Sequence, residues 1–187
     1  MRAQGCGGIT GVVFSFIWLA CSSVSGYAQT NSISHSPAKV VEKYFTLDNK
    51  GVRLDASSFE SVASLVDWKE EPVWGKVIVI TGFTVPDDFR KWEIVSRLEV
   101  VVPVEFRVLG VMYMDSAGFV PEPGTEQVRV RVKAQGARWK IMEPILPPHV
   151  GQKRLLNFVR QALLEEQDGA RQASLAALQV ELRKANE

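Results

Sequence analysis

The sequence predicts an α+β protein in which helices come first, antiparallel strands follow and further helices close the chain. Apolar residues recur at helical spacing in 37–51 and again from residue 152 onward. Between them lie β-branched or alternating stretches, KVIVITGFTV (76–85) and VRVRVKAQGARWKI (128–141), which are typical of strands. A chain of 187 residues with 46% apolar residues has enough material for one domain with a sizeable core.

The first 28 residues have the pattern of a secretory signal peptide. Arg2 gives a weakly positive start, an apolar run occupies 9–20, and Gly26 and Ala28 are the small residues that a signal peptidase reads. A membrane-spanning helix needs about 20 apolar residues, and this run is shorter. We therefore expect cleavage after Ala28, a periplasmic or secreted protein, and no transmembrane helix in the mature chain.

Cys21 offers a second route to the cell envelope, because a lipoprotein signal also ends in a small residue before a cysteine. Ala20 fits that pattern, whereas Trp18 and Leu19 fit it poorly, so a lipoprotein anchored at Cys21 is the minor alternative. Cleavage after Ala28 would also remove Cys6, the only other cysteine. The mature chain would then have no disulfide, no thiol nucleophile and no cysteine–zinc site.

The charge balance argues against a nucleic-acid partner. The sequence has 22 Lys and Arg against 21 Asp and Glu, and Arg2 is the only charged residue before the expected cleavage site. The mature chain would therefore carry no net charge, and a field that attracts nucleic acid is not expected.

The region after the signal divides into a flexible leader (29–36) and two helices. Ser36 and Pro37 have the pattern of an N-cap followed by proline at the first helical position, and Gly51 is a suitable stop. Ser57 and Glu60 have capping-box spacing at the start of a second helix. Its predicted buried stripe consists of Phe59, Val62, Ala63 and Val66.

Strands are predicted at 76–85 and 93–114, with an edge, bulge or bend at Pro103 because proline cannot donate a ladder hydrogen bond. The stretch 115–126 has the composition of a turn-rich loop. A hairpin then occupies 128–141. With Gln135 and Gly136 as its two-residue turn, the inward-facing pairs would be Val132 with Trp139 and Val130 with Ile141.

The chain is predicted to end in helices. The segment PILPPHVG (144–151) should break the sheet, and a helix should run from 152 to 166. The remaining residues, 167–187, are predicted to form a helical tail with a narrow leucine seam, Leu175, Leu178 and Leu182. Such a seam, or the sheet itself, could support a homodimer.

Two stretches, PAKVVEKYFTLDNKG near the start and VRVRVKAQGARWKIMEP near the end, give the chain its resemblance to the NTF2-like (cystatin-like cone) superfamily. The resemblance covers about residues 37–146 and implies a strongly curved antiparallel sheet wrapped around the amino-terminal helices, with a pocket inside the cone. We expect an NTF2-like domain over 37–166. Enzymes of this superfamily, such as ketosteroid isomerases and polyketide cyclases, place Asp, Tyr or His inside the cone.

Tyr44 and Asp48 are the first catalytic candidates, because residues four apart share one face of a helix. A buried carboxylate there could act as a base, and a tyrosine could donate to an enolate oxygen. Most carboxylates are exposed, however, so we interpret Tyr44 as a core residue and Asp48 as a solvated helix-end residue.

His149 is the other candidate and could serve as a general base. One imidazole cannot form a His-based metal cluster, and we interpret His149 as a solvated residue just before a helix. Nucleotide-binding, hydrolase and metalloprotease motifs are all missing from the sequence, so we predict neither a cofactor nor a metal. We expect the aromatic residues that flank the sheet to be partly buried packing residues, namely Trp68, Trp74, Trp92 and Phe83.

The hairpin also carries a basic face, formed by Arg129, Arg131, Lys133, Arg138 and Lys140. Like charges opposite one another destabilise a sheet, so this face needs an explanation. Three are open: acidic residues on neighbouring strands (Glu99, Glu105 or Glu126), the terminal helix with Glu165, Glu166 and Glu181, or an anionic partner.

The sequence therefore favours a secreted NTF2-like domain that binds an unidentified small molecule or protein without catalysis. The first alternative is an isomerase- or cyclase-like enzyme that uses a pocket carboxylate. The second is a structural dimerisation module of the cell envelope.

Overall fold

The computed structural model describes residues 36–54 and 59–185, and it confirms the predicted α+β class. The expected signal peptide, nearly all of the leader, Cys21 and Ser57 lie outside these residues. Within them the helices are α1 (Pro37–Asn49), α2 (Phe59–Ala63), α3 (Gln152–Glu165) and α4 (Gly169–Lys184). The strands are β1 (Lys76–Thr84), β2 (Glu93–Ser96), β3 (Glu99–Tyr113), β4 (Gly118–Gln135), β5 (Arg138–Glu143) and β6 (His149–Gly151).

The strands form one strongly curved half-barrel sheet with the order β5-β4-β3-β1-β6. The short strand β2 lies outside this order and pairs with the first residues of β3, before the part that pairs with β1. All pairings are antiparallel except that of β6, which runs parallel to β1. The sheet is therefore mixed, whereas the sequence predicted an antiparallel one. The prediction that 144–151 only breaks the sheet was wrong for its last three residues.

The start of α1 follows the predicted local chemistry. The Ser36 side chain accepts a hydrogen bond from the amide of Ala38 at 3.2 Å, and Pro37 occupies the first helical turn. After the helix, Gly51 adopts a φ of 70°, a conformation that glycine tolerates and other residues rarely adopt. The second helix is shorter than its predicted buried stripe, which extended to Val66: α2 spans only five residues.

The inner face of the sheet packs on α1, as the alternation in the closing hairpin predicted. Trp139 is 9% exposed and Ile141 1%, and both lie in one hydrophobic cluster with α1 residues such as Val41 and Phe45. Val130 and Val132 join the same cluster. The alternation therefore placed the intended side chains inward.

The hairpin turn, in contrast, was predicted at the wrong residues. Gly136 and Ala137 form the turn, so that Gln135 pairs with Arg138, Ala134 with Trp139 and Val132 with Ile141. Gly136 has a φ of 60°, which a hairpin turn with glycine at its first central position requires. Each partner is displaced by two residues, and two is the repeat of a strand, so the buried face is unchanged.

Pro103 lies in the interior of β3, yet beside a local free edge. The pairing of β1 with β3 ends at Glu105, and that of β2 with β3 begins at Val101. Pro103 falls in the gap between them and pairs only with Arg129 of β4. The predicted edge position is confirmed.

The predicted loop at 115–126 was wrong, because most of it belongs to β4. Residues 118–128 pair with β3, while β5 covers β4 only at residues 131–135. Pro121 and Pro123 therefore occupy a strand with one free edge, where a missing amide hydrogen is tolerated. Pairing with the long edge of β3 therefore keeps this stretch extended, although its composition is typical of a turn.

Helices α3 and α4 close a second hydrophobic cluster on the other face of the sheet. Val77 and Val79 lie in this cluster, whereas Ile80 lies in the first one, as alternation along β1 requires. The leucine seam also lies in the second cluster, with Leu182 fully buried. The seam is therefore packed inside the chain, which does not support a dimer through it. Within the described residues, no helix has the length and apolarity needed to span a membrane.

Replacing Gly110 with alanine is expected to lower the free energy of unfolding by about 1–3 kcal/mol. Gly110 has a φ of 154° beside an irregularity in the β3–β4 pairing, and an added Cβ would overlap the carbonyl oxygen of Val120. Gly124→Ala is the matched control, because its Cβ would meet nothing within 4 Å. Urea denaturation of both variants checks this, and equal effects would contradict it.

Candidate functional site

The fold brings the three catalytic candidates of the sequence into one buried cluster. Tyr44 and Asp48 lie one turn apart on α1, and β6 delivers His149 from a position 101 residues further along the chain. All three are nearly inaccessible, with exposures of 2%, 0% and 1% respectively. The interpretation of Tyr44 as a core residue is confirmed, whereas solvated positions for Asp48 and His149 were wrong.

Asp48 is held through one carboxylate oxygen. Its Oδ2 accepts hydrogen bonds from the Arg53 guanidinium at 3.1 Å and from the backbone amide of His149 at 2.8 Å. Its Oδ1 is buried without a hydrogen-bond partner among the described residues. Burial raises the pKa of Asp48 to about 7, although the charge of Arg53 opposes this shift.

Arg53 is the central residue of the cluster, and no sequence motif points to it. Its side chain is 1% exposed and forms ion pairs with both Asp48 and Glu71. It also donates to the carbonyl of Leu146 at 2.6 Å, and its guanidinium carbon lies 5.5 Å from the ring centre of Tyr44. The indole N–H of Trp74 donates to the same Glu71 oxygen at 2.9 Å, so Glu71 is fixed from two sides.

His149 is neutral and tightly packed. Its Nδ1 lies 2.8 Å from the carbonyl oxygen of Pro147, which can only accept, so Nδ1 carries the proton. Its Nε2 is buried with no partner among the described residues, and the ring lies 4.4 Å from that of Phe106. Burial lowers the pKa of His149 to about 4, because the charged form would lose its hydration.

These contacts give the cluster a structural role. Asp48 and His149 are almost inaccessible to a substrate, and the His149 ring packs against the rings of Phe45 and Phe106. Asp48 is committed to Arg53, and burial also raises the pKa of Tyr44, so its hydroxyl stays protonated. Within the part of the chain that the structure describes, no group of three or more potential ligands is arranged to hold a metal ion.

The basic face is partly neutralised by neighbouring strands. Arg131 pairs with Glu99 at 3.1 Å and with Glu143 at 2.9 Å, and Arg129 pairs with Glu93. The interpretation that acidic residues on neighbouring strands pair with this face is thus confirmed for Arg131 and Glu99. The partners Glu93 and Glu143 were not predicted. Across 36–54 and 59–185, no ion pair involves the remaining cations, Lys133, Arg138 and Lys140.

Arg138 contributes to an open cleft that we call the basic cleft. It has a volume of about 530 Å³ and lies between α1, the segment after α2 and the start of β5. It is lined by Lys39, Val40, Lys43, Ser64, Leu65, Arg138 and Trp139. Val40, Leu65 and Trp139 are each less than 10% exposed, so an apolar floor lies under a cationic rim.

Two other clefts are less suited to a polar ligand. One, of about 310 Å³, lies between α3, α4 and the end of β3 and is mainly apolar, and its Arg171 is already paired with Glu166. The other, of about 540 Å³, adjoins the buried cluster, where Arg53 and Glu71 neutralise each other. The first has no unpaired cation in its lining, and the second has Lys69 beside Glu70 and Glu71, whereas no carboxylate lines the basic cleft.

The aromatic residues that flank the sheet are packing residues, as predicted. Trp68, Trp92 and Phe83 are partly buried against the first hydrophobic cluster. Trp92 donates its indole N–H to the carbonyl of Pro86 at 2.8 Å, and Trp74 is fixed on Glu71. They form parts of the fold.

Comparison of the chain with protein families, with curated proteins and with solved structures gives no match.

Proposed function

We propose that this chain is a secreted or periplasmic binding domain of the NTF2-like type, which holds a small molecule in the basic cleft without chemical turnover. The observation that carries the proposal is the contrast between two groups of side chains. The candidate catalytic side chains are buried and Asp48 is paired with Arg53, whereas Lys43 and Arg138 in the basic cleft are exposed and form no ion pair with any described residue. Ligand sites in proteins are typically concave, with an apolar lining and a few directed polar groups.

An isomerase- or cyclase-like enzyme is the first alternative, and the site gives it little support. Such an enzyme needs Asp48 and Tyr44 beside a substrate-sized cavity, and both side chains are instead covered by other residues. Turnover of a steroid, epoxide or polyketide analogue by the wild type, lost in Asp48→Asn, would overturn the non-enzymatic proposal.

A structural dimerisation module is the second alternative. The leucine seam does not support it, since these leucines are buried within the chain. A dimer would have to use the sheet, and a monomeric mass in solution would count against it.

The purified protein is expected to bind an environment-sensitive naphthylamine dye at one saturable site, and Ser64→Trp is expected to abolish that binding. Ser64 is exposed and lines the basic cleft, so a tryptophan there fills the cleft without disturbing the core. Ser61→Trp is the matched control, because Ser61 is also exposed but does not line the cleft. Fluorescence titration measures both, and dye binding that Ser64→Trp leaves intact would contradict the proposal.

A further inference from the structure

The basic cleft has the chemistry of a site for one class of ligand. We infer that it selects a small molecule with an anionic head, such as a carboxylate, sulfonate or phosphate ester, joined to an apolar body. The inference rests on the proposed binding function and adds the charge and shape of the ligand.

The rim supplies donors that the fold leaves unused. Lys43, Ser64, Arg138 and the indole N–H of Trp139 donate no hydrogen bond to any residue that the structure describes. Lys39 is the exception, because it pairs with Glu42 at 2.9 Å on the exposed surface of α1. Four unused donors around one cleft can satisfy the several lone pairs of one anionic group.

The rim also contains no carboxylate that could accept hydrogen bonds from its cationic side chains. Its lining has neither Asp nor Glu, so no carboxylate competes for Lys43 and Arg138 inside the cleft. The cleft beside Arg53 contains Glu70 and Glu71, and the α3–α4 cleft contains Glu165 and Glu166. An anion would be repelled by those carboxylates, which makes the basic cleft the favourable one.

The floor accounts for the apolar part of the ligand. Leu65 is 7% exposed, Val40 8% and Trp139 9%, so each presents a small apolar area to the cleft and is otherwise fixed in the core. A rigid apolar floor favours a ring or chain that excludes water from it. Arg138 and Trp139 are consecutive in β5 and both line the cleft, so an anionic head bound by Arg138 would lie beside an apolar body on the floor.

Three probes separate the head from the body: 8-anilinonaphthalene-1-sulfonate has both, N-phenyl-1-naphthylamine has the same rings without the charge, and inorganic phosphate has the charge alone. We expect the sulfonate to bind at least about tenfold more tightly than the neutral amine, since two exposed charge interactions each contribute about threefold or more. Phosphate should displace the sulfonate only at far higher concentration, because it lacks the apolar body.

The variant Lys43→Gln/Arg138→Gln is expected to weaken sulfonate binding about tenfold and to leave amine binding unchanged. Lys153→Gln/Arg160→Gln is the matched control, because it removes the same charge from exposed positions on α3 that do not line the cleft. Equal binding of the two dyes, or equal effects of the two double variants, would overturn the inference. If Ser64→Trp still blocked both dyes, the proposed function would nevertheless stand. Absence of dye binding at the cleft would overturn both.

Discussion

Replacing Arg53 with methionine is expected to lower the free energy of unfolding by about 3–5 kcal/mol at pH 7.5, the cost of removing one partner from a buried ion pair. The variant would leave Asp48 buried without its cation and would remove both guanidinium contacts to Glu71. It would also leave the carbonyl of Leu146 without its donor. Methionine fills much of the same volume, so the loss reports on charge and hydrogen bonding more than on packing.

The matched control for this prediction is Arg90→Met. Arg90 pairs with Asp88 at 3.0 Å, but its side chain is 78% exposed, and exposed pairs contribute about 0–1 kcal/mol. Guanidinium chloride denaturation of the two variants at the same pH gives the comparison. A loss below about 1 kcal/mol for Arg53→Met would mean that the buried cluster contributes no more than a surface pair.

The second prediction concerns the pH dependence of stability and uses Asp48→Asn. The folded chain holds a proton on Asp48 up to about pH 7, whereas the unfolded chain releases it near 3.8. Between these values the folded state binds more protons, so Asp48 makes the wild type less stable as pH rises. Asparagine does not titrate, and the difference in unfolding free energy should shift in its favour by about 1.4 kcal/mol per pH unit in this window.

His149 makes the free energy of unfolding rise with pH, and this rise would hide the fall due to Asp48 in the wild type. Its folded pKa of about 4 lies below the value of 6.5 in the unfolded chain, so the unfolded state binds more protons between these values. Stability from His149 is therefore present above pH 6.5 and is lost as pH falls towards 4. His149→Phe removes this contribution and should expose the falling profile due to Asp48.

Urea denaturation at half-unit steps from pH 4 to 8 measures all three profiles. The control is Asp115→Asn, because Asp115 is exposed and forms no ion pair within 36–54 or 59–185. Parallel profiles for the wild type and Asp48→Asn would show that Asp48 titrates alike in the folded and unfolded chains, and the prediction would be wrong.

Local chemistry explains which predictions were confirmed. The start of α1 depends on Ser36, Pro37 and apolar spacing within one helix, all of which are adjacent in sequence. The faces of the β4–β5 hairpin depend only on alternation, which survives a two-residue displacement of the partners. The extent of β4 through Pro121 and Pro123 depends on the edge that β3 offers, and no local pattern contains that information.

The sequence by itself determined the α+β class, the position of α1 and the side of the closing hairpin that faces the core, because periodicity and capping act over a few residues. Only the tertiary structure decided that Asp48, Arg53 and His149 are buried together and that Lys43 and Arg138 border one cleft. Arg53 lies 5 residues from Asp48 in the sequence, but His149 lies 101 residues from it. Whether a titratable group is charged depends on the water and partners around it, and distant segments of the chain supply both.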